Sequence, residues 1–227
     1  MTQVKERPIL FSAPMVRAIL DGRKTVTRRP VKADWIQSDR APMNTAPGLF
    51  HFWCSGEHAC PYGEPGQRLW VRESFWHAGG YVQTYPEDDV GSWSGSRRVH
   101  YRADGNPPNE PNRHYPNGLR NGSYSAAEPN KIWRARPSIH MPRWACRILL
   151  EITDVRVERL QNISEEQAQA EGVQRDSDGW ADYLMPSTQC CLTPRESFKT
   201  LWASISGAKA WDANPWVWVV EFRRVQP

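Results

Sequence analysis

The sequence predicts an α+β fold: a mainly antiparallel sheet, closed or half closed into a small barrel, with a few flanking helices and long loop insertions. Three observations lead there. The segments run strand, helix, strand, several strands, two helices and a last strand, without the βαβ alternation of a parallel sheet. Hydrophobic residues make up only 39% beside 19 prolines and 15 glycines, the balance of a compact core carrying long irregular loops. The 227 residues suffice for a single domain over 1–227, with insertions at about 32–66, 77–142 and 173–192. Twelve tryptophans imply that many of those loops are pinned by aromatic packing.

Weak alternation over Arg7 to Ser12 marks a short strand. Ser12 and Pro14 then open a helix, since serine caps and proline tolerates the first turn. Val16, Ile19 and Leu20 form its apolar stripe, and Gly22 stops it. Thr25 to Val31 is β-branched enough for the next strand. Residues 32–66 read as loop, and Arg68 to Trp76 as a core strand. Residues 77–142 show little periodicity beyond a strand at Arg98–Arg102, and read as an insertion rather than a second core.

Further along, Arg147 to Ile152 followed by Val155 to Val157 is strongly strand-like. Ser164-Glu165-Glu166-Gln167 is a capping box whose helix should stop at Gly172. Thr193-Pro194-Arg195-Glu196 is a second, with Phe198, Leu201, Trp202 and Ile205 as the buried stripe behind it and Gly207 as the stop. Pro215 to Phe222 is the clearest strand of the chain.

No apolar run approaches the eighteen residues of a membrane span and no signal-peptide core is present, so a soluble, cytoplasmic protein with no membrane partner is expected. Five cysteines, two of them adjacent (Cys190 and Cys191), do not resemble a secreted disulfide framework. The net charge is only +4, but the cations cluster: Arg23/Lys24/Arg28/Arg29/Lys32, Arg97/Arg98/Arg102, Lys131/Arg134/Arg136 and Arg143/Arg147. Clusters beside Trp133 and Trp144 suit a surface that tracks phosphates and stacks bases.

The densest chemistry lies in Gly22-Arg23-Lys24-Thr25-Val26-Thr27-Arg28-Arg29, which joins a lysine, hydroxyls and arginines directly behind a helix. One further residue is locally out of place. Glu171 closes its helix just before Gly172, at the negative end of the helix dipole, where a cation would be stabilising. That position disfavours the anion, which suits a proton donor.

The Gly-Arg-Lys-Thr-Val-Thr-Arg segment, the Ser164–Gly172 helix ending in Ala-Glu-Gly and the terminal Trp218-Val219-Val220-Glu221-Phe222 strand together resemble the ASCH domain family. The long, Trp-rich form with Ile139-His140-Met141-Pro142-Arg143-Trp144 is similar to its phage and prophage members. The likeness covers about half the chain and implies a PUA-like β-barrel. Some members are small amidohydrolases that deacetylate N4-acetylcytidine with a Lys, a Thr and a Glu; others resemble RNA-binding modules or ribonucleases. Carried onto this chain, the likeness implies Lys24 as base, Thr27 as nucleophile and Glu171 as acid, with no cofactor and a modified nucleoside or nucleic acid as partner, RNA favoured over DNA. The family's Gly-Asp before the core strand is Gly66-Gln67 here.

The implied chemistry is coherent. A threonine hydroxyl needs a base to attack an amide, and a desolvated lysine among arginines can lose its proton readily enough to serve. Positions three apart on a strand face opposite sides, so Lys24 must lie in the turn before the pleat begins. Arg23, Arg28 and Arg29 would hold substrate anions. His140, Arg143 and Trp144 would contact a base or phosphate, and Glu73 would pair with a motif arginine. His51, Cys54, His58 and Cys60 are dense but lack a standard zinc spacing, so no metal is expected. No Walker A loop, Gly-x-Gly-x-x-Gly turn or Gly-x-Ser-x-Gly elbow is present, which argues against nucleotide hydrolases and classical esterases.

Overall fold

A computed structural model describes residues 4–85, 90–113, 131–186 and 190–226, with the side chains of 81–85, 90 and 91 outside the description. In chain order its elements are β1 (Glu6–Leu10), α1 (Ala13–Leu20), β2 (Val26–Pro30), β3 (Met43–Ala46), β4 (Leu49–Phe52), β5 (Gly56–Ala59) and β6 (Arg68–Arg72). There follow β7 (Phe75–Tyr85), β8 (Val90–Tyr101), β9 (Trp133–Arg136), β10 (Leu149–Arg159), α2 (Glu165–Ala170), β11 (Arg175–Asp176), β12 (Gly179–Ala181), β13 (Cys190–Cys191), α3 (Pro194–Ser206) and β14 (Trp216–Val225). The fold is α+β and dominated by antiparallel pairing. The chain divides into two compact units: Met1–Ile9, Arg17–Val71 and Ile148–Pro227 form the first, and Leu10–Val16 with Arg72–Arg147 the second.

The first unit holds a five-stranded sheet in the order β1-β6-β10-β14-β2. β14 lies between β10 and β2 and is buried from Trp216 to Val220, which explains why it reads as a continuous apolar run instead of an alternating one. Leu149, Leu150, Ile152, Val217, Val219 and Val220 are almost fully enclosed. Phe50 and Phe52 of β4 meet Trp218 edge-on, with ring centroids 5.2 and 6.0 Å apart. Among the described residues no ladder joins β1 to β2, so the expected barrel closure gives way to an open sheet.

Two expected loops of this unit carry small sheets. Residues 32–66 contain β3-β4-β5, and residues 173–192 contain β11-β12-β13. Their strands are two to four residues long, too short for any period to register against turn residues.

The second unit is built on the sheet β8-β7-β9, within the stretch expected to be irregular. Its apolar cluster is Phe75, Met141 and Ala145, with Val99 and Tyr101 packed against it. The expected strand from Arg68 to Trp76 is in fact the whole of β6 and the start of β7, interrupted at Glu73 and Ser74. Among the described residues no helix is long and apolar enough to cross a membrane.

Candidate active site

The turn between α1 and β2 is fastened to the end of α2. The N–H groups of Arg23 and Lys24 both donate to Ala18 O (2.9 and 3.0 Å), and Thr25 N–H donates to Ala170 O (2.9 Å). That last bond satisfies one of the carbonyls a helix leaves unpaired at its C-terminus. On the far side of the turn, Phe222 N–H donates to Thr25 O (2.9 Å), which ties it to β14.

Lys24 therefore lies ahead of the strand, as the sequence required, and its side chain is buried against Glu171. Nζ donates to Glu171 Oε2 at 2.6 Å, to Glu171 O at 2.8 Å and to Val26 O at 2.8 Å. The bond to Glu171 O supplies the cation that the C-terminus of α2 calls for. Lys24 and Glu171 are 4% and 3% exposed, so the pair is shielded from water. Burial, the largest effect, pushes the Lys24 ammonium below the ordinary lysine value of 10.5; Glu171 pulls it back up, and Arg29 and Arg28 add to the depression.

Gly172 makes this approach possible. It adopts φ +87, and a Cβ built on it would fall 2.8 Å from Ala18 Cβ and 2.9 Å from Lys24 Cβ. Only glycine meets both demands, the left-handed backbone and the missing side chain.

Arg28, expected to hold a substrate anion, is instead enclosed at 4% exposure. Its Nη1 donates to Glu171 Oε1 (3.4 Å), and its Nη2 to Gln167 Oε1 (2.7 Å) and Glu158 Oε2 (3.4 Å). It is thus spent on orienting the carboxylate. Gln167 and Glu158 did not stand out in the sequence. Gln167 doubles as the third residue of the α2 capping box, and Asp154, Arg156 and Glu158 alternate with period two on β10, a signal of one charged strand face.

Thr27 is buried on β2 opposite Val220. The three bonds that Lys24 Nζ makes to Val26 and Glu171 do not reach it. Thr27 and Arg28 are consecutive on the strand, so their Cβ atoms leave opposite faces of the sheet. Arg23 is surface-exposed and pairs with Asp21 (3.0 Å), with a weaker contact to Gly172 O (3.4 Å). Arg29 is half-buried in register with Trp218.

The other expected contacts belong to the second unit. Glu73 does not meet a motif arginine: it is 1% exposed and gripped by Arg147 through two bonds of 2.9 and 3.0 Å. Burial pushes its carboxyl above the usual range and Arg147 pulls it partly back. Arg147 also pairs with Asp104 and lies 3.9 Å from the Tyr101 ring centroid, so Glu73 anchors an internal network of the second unit. His140, Arg143 and Trp144 stand exposed on two short 3-10 turns.

His58 stacks on Trp35 at 4.1 Å and its Nε2 lies 3.0 Å from Ser55 Oγ, while Cys60 is buried. Among the described residues no group of three or more His, Cys, Asp or Glu side chains is arranged to hold a metal ion.

No family model matches the chain, and neither curated proteins nor solved structures do. The arrangement must therefore be read from its own chemistry. A lysine and a glutamate from opposite ends of the sequence share a short hydrogen bond in a dry enclosure, and an arginine fixes the glutamate's second oxygen. A buried lysine whose ammonium is disfavoured, held against a carboxylate, marks a candidate catalytic site.

Proposed function

We propose that the chain is an amidohydrolase that removes the acyl group from an N4-acylated cytosine, presented as a nucleoside or within RNA, as the ASCH-like segments suggested. The observation that carries this reading is the buried contact of 2.6 Å between Lys24 Nζ and Glu171 Oε2. Burial penalises the ammonium–carboxylate form of such a pair, so a proton shift along the short bond toward amine and acid becomes accessible. Those are the forms the reaction uses.

In this mechanism Thr27 Oγ attacks the acyl carbonyl, and the Lys24 amine accepts the hydroxyl proton. The C–N bond breaks, Glu171 protonates the departing N4 amine, and the acyl group rests on Thr27. Lys24 then passes the proton it took back along the short bond to Glu171 and accepts one from water, whose oxygen cleaves the ester; Glu171 reprotonates Thr27 Oγ, so that amide and water become amine and carboxylic acid. Lys24, Thr27 and Glu171 are each under 5% exposed, so substrate reaches them only when the cover over the lysine opens and Nζ gives up an oxygen partner for the threonine hydroxyl.

Incubation with N4-acetylcytidine and, in parallel, with labelled RNA tests the reading. Release of cytidine and acetate, lost in Lys24→Ala and Thr27→Ala and retained in part by Thr27→Ser, is the expected result. Salt-sensitive RNA binding without turnover, or cleavage of the RNA, would overturn it.

A further inference from the structure

The second unit carries a pocket that the chemistry at Lys24 does not use. It encloses about 270 Å³ and is lined by Trp76, Trp133, Pro107, Pro108, Glu110 and Lys131, with Asn106 and Asn109 at its edge. Strand register explains its walls. Trp76 of β7 is opposite Ala135 of β9, and Ala78 is opposite Trp133, so the two tryptophans lie diagonally on one face of the sheet. His100 of β8 pairs with Trp76, and its ring centroid is 6.2 Å from that of Trp133.

Two features indicate what the pocket takes. Trp76 and Trp133 line the pocket and are only half-buried, so part of each indole ring is open to a stacking partner. The rim also carries two exposed arginines. Arg98 lies over Trp133 (5.2 Å) and is paired with Glu110 (2.8 Å), a partner a phosphate would have to replace, while Arg102 lies over Trp76 (5.9 Å). Aromatic rings interleaved with arginines suit planar bases joined by phosphates. The volume is just below the ~300 Å³ at which drug-sized sites begin, so one ring system fits and a folded peptide segment does not.

We propose that the Trp76–Trp133 pocket seats one unpaired base of a single-stranded nucleic acid, with Arg98 and Arg102 swinging from the rings to the flanking phosphates. The base stacks on the half-buried indole rings, and the strand continues along the basic edge of β8. A duplex is excluded because its bases are already stacked and paired. This site is independent of deacylation at Lys24, and the two are separable by assay because a free nucleoside carries no phosphate.

The test is fluorescence anisotropy of the full chain with labelled 12-residue single strands of RNA and of DNA, and with the matched duplex, over a range of salt. Single strands should bind more tightly than the duplex and quench tryptophan emission; comparison of the RNA and DNA arms identifies the source. Trp133→Ala should weaken binding by about 5- to 150-fold, the effect of removing one stacking partner, while Trp133→Phe retains most of it. Arg98→Ala should reduce the salt slope by about one unit. Circular dichroism melting establishes that the tryptophan variants are folded. If Trp133→Ala fails to fold, Arg98→Ala and the quenching of the unmodified protein carry the test. Equal affinity for duplex and single strand, saturation without quenching, or wild-type affinity in a folded Trp133→Ala would overturn the proposal.

Discussion

At the scale of single residues the candidate site depends on one unusual partnership. Removing one member of a buried ion pair leaves the other charge uncompensated, at a cost of about 3–5 kcal/mol. Glu171→Gln should therefore lower the urea midpoint sharply, since it strands Lys24 and Arg28 together. The double variant Lys24→Met/Glu171→Leu should recover much of that loss while remaining inactive, which separates stability from catalysis. Equal stability of the single and double variants would contradict the account.

Titration of Lys24 gives a second check at this scale. The working pair shares one proton between amine and acid, so kcat/KM should fall as pH rises through a midpoint below 10.5, where Lys24 loses that proton and Glu171 has none to pass to the leaving amine. Stability moves the opposite way. A lysine depressed in the folded state costs most below its folded value, and that cost disappears as pH rises toward 10.5. Lys24→Met should abolish turnover and flatten the stability dependence.

At the scale of elements, Gly172 ends α2 and clears the path for Lys24. Gly172→Ala places a side chain at positive φ and against two neighbours, so it should cost about 1–3 kcal/mol and reduce turnover in the same variant. Thermal melting and nucleoside deacetylation measure the two effects. The ends of α2 were plain in the sequence because capping is local: Ser164 Oγ accepts from Gln167 N–H, as the Ser-Glu-Glu-Gln pattern implied.

The same reasoning explains what the sequence hid at this scale. β7 and β8 were obscured because Gly79, Gly80, Gly91 and Gly95 interrupt any alternation, and their pairing depends on long-range register. The small sheets within 32–66 and 173–192 are too short to show a period. Of the site itself, Lys24 and Glu171 were legible because one sits in a dense motif and the other opposes its helix dipole. Arg28 was misread, since burial of a guanidinium depends on Glu158 and Gln167, which come from elsewhere in the chain.

At the scale of the whole molecule, none of the five cysteines forms a disulfide. Thiol titration of the denatured protein without reductant should count five, and reductant should leave the melting temperature unchanged; a count of three or one would reveal a disulfide that this fold does not contain. Charge is likewise better understood globally than by cluster. The arginine groups that looked alike in the sequence serve different ends, some locked on carboxylates inside the units and others resting on exposed tryptophan faces.

The position of β2 at the sheet edge makes the lysine turn depend on a strand synthesised much later. In the order β1-β6-β10-β14-β2 its neighbour is β14. Lys24 and Glu171 can both be synthesised long before the ladder that steadies the lysine turn exists, because Val26 to Pro30 pairs with Val217 to Glu221. A nascent chain that stops short of Trp216 would carry Lys24, Thr27 and Glu171 without the ladder that steadies the turn, so the proposed deacylation should be absent from it.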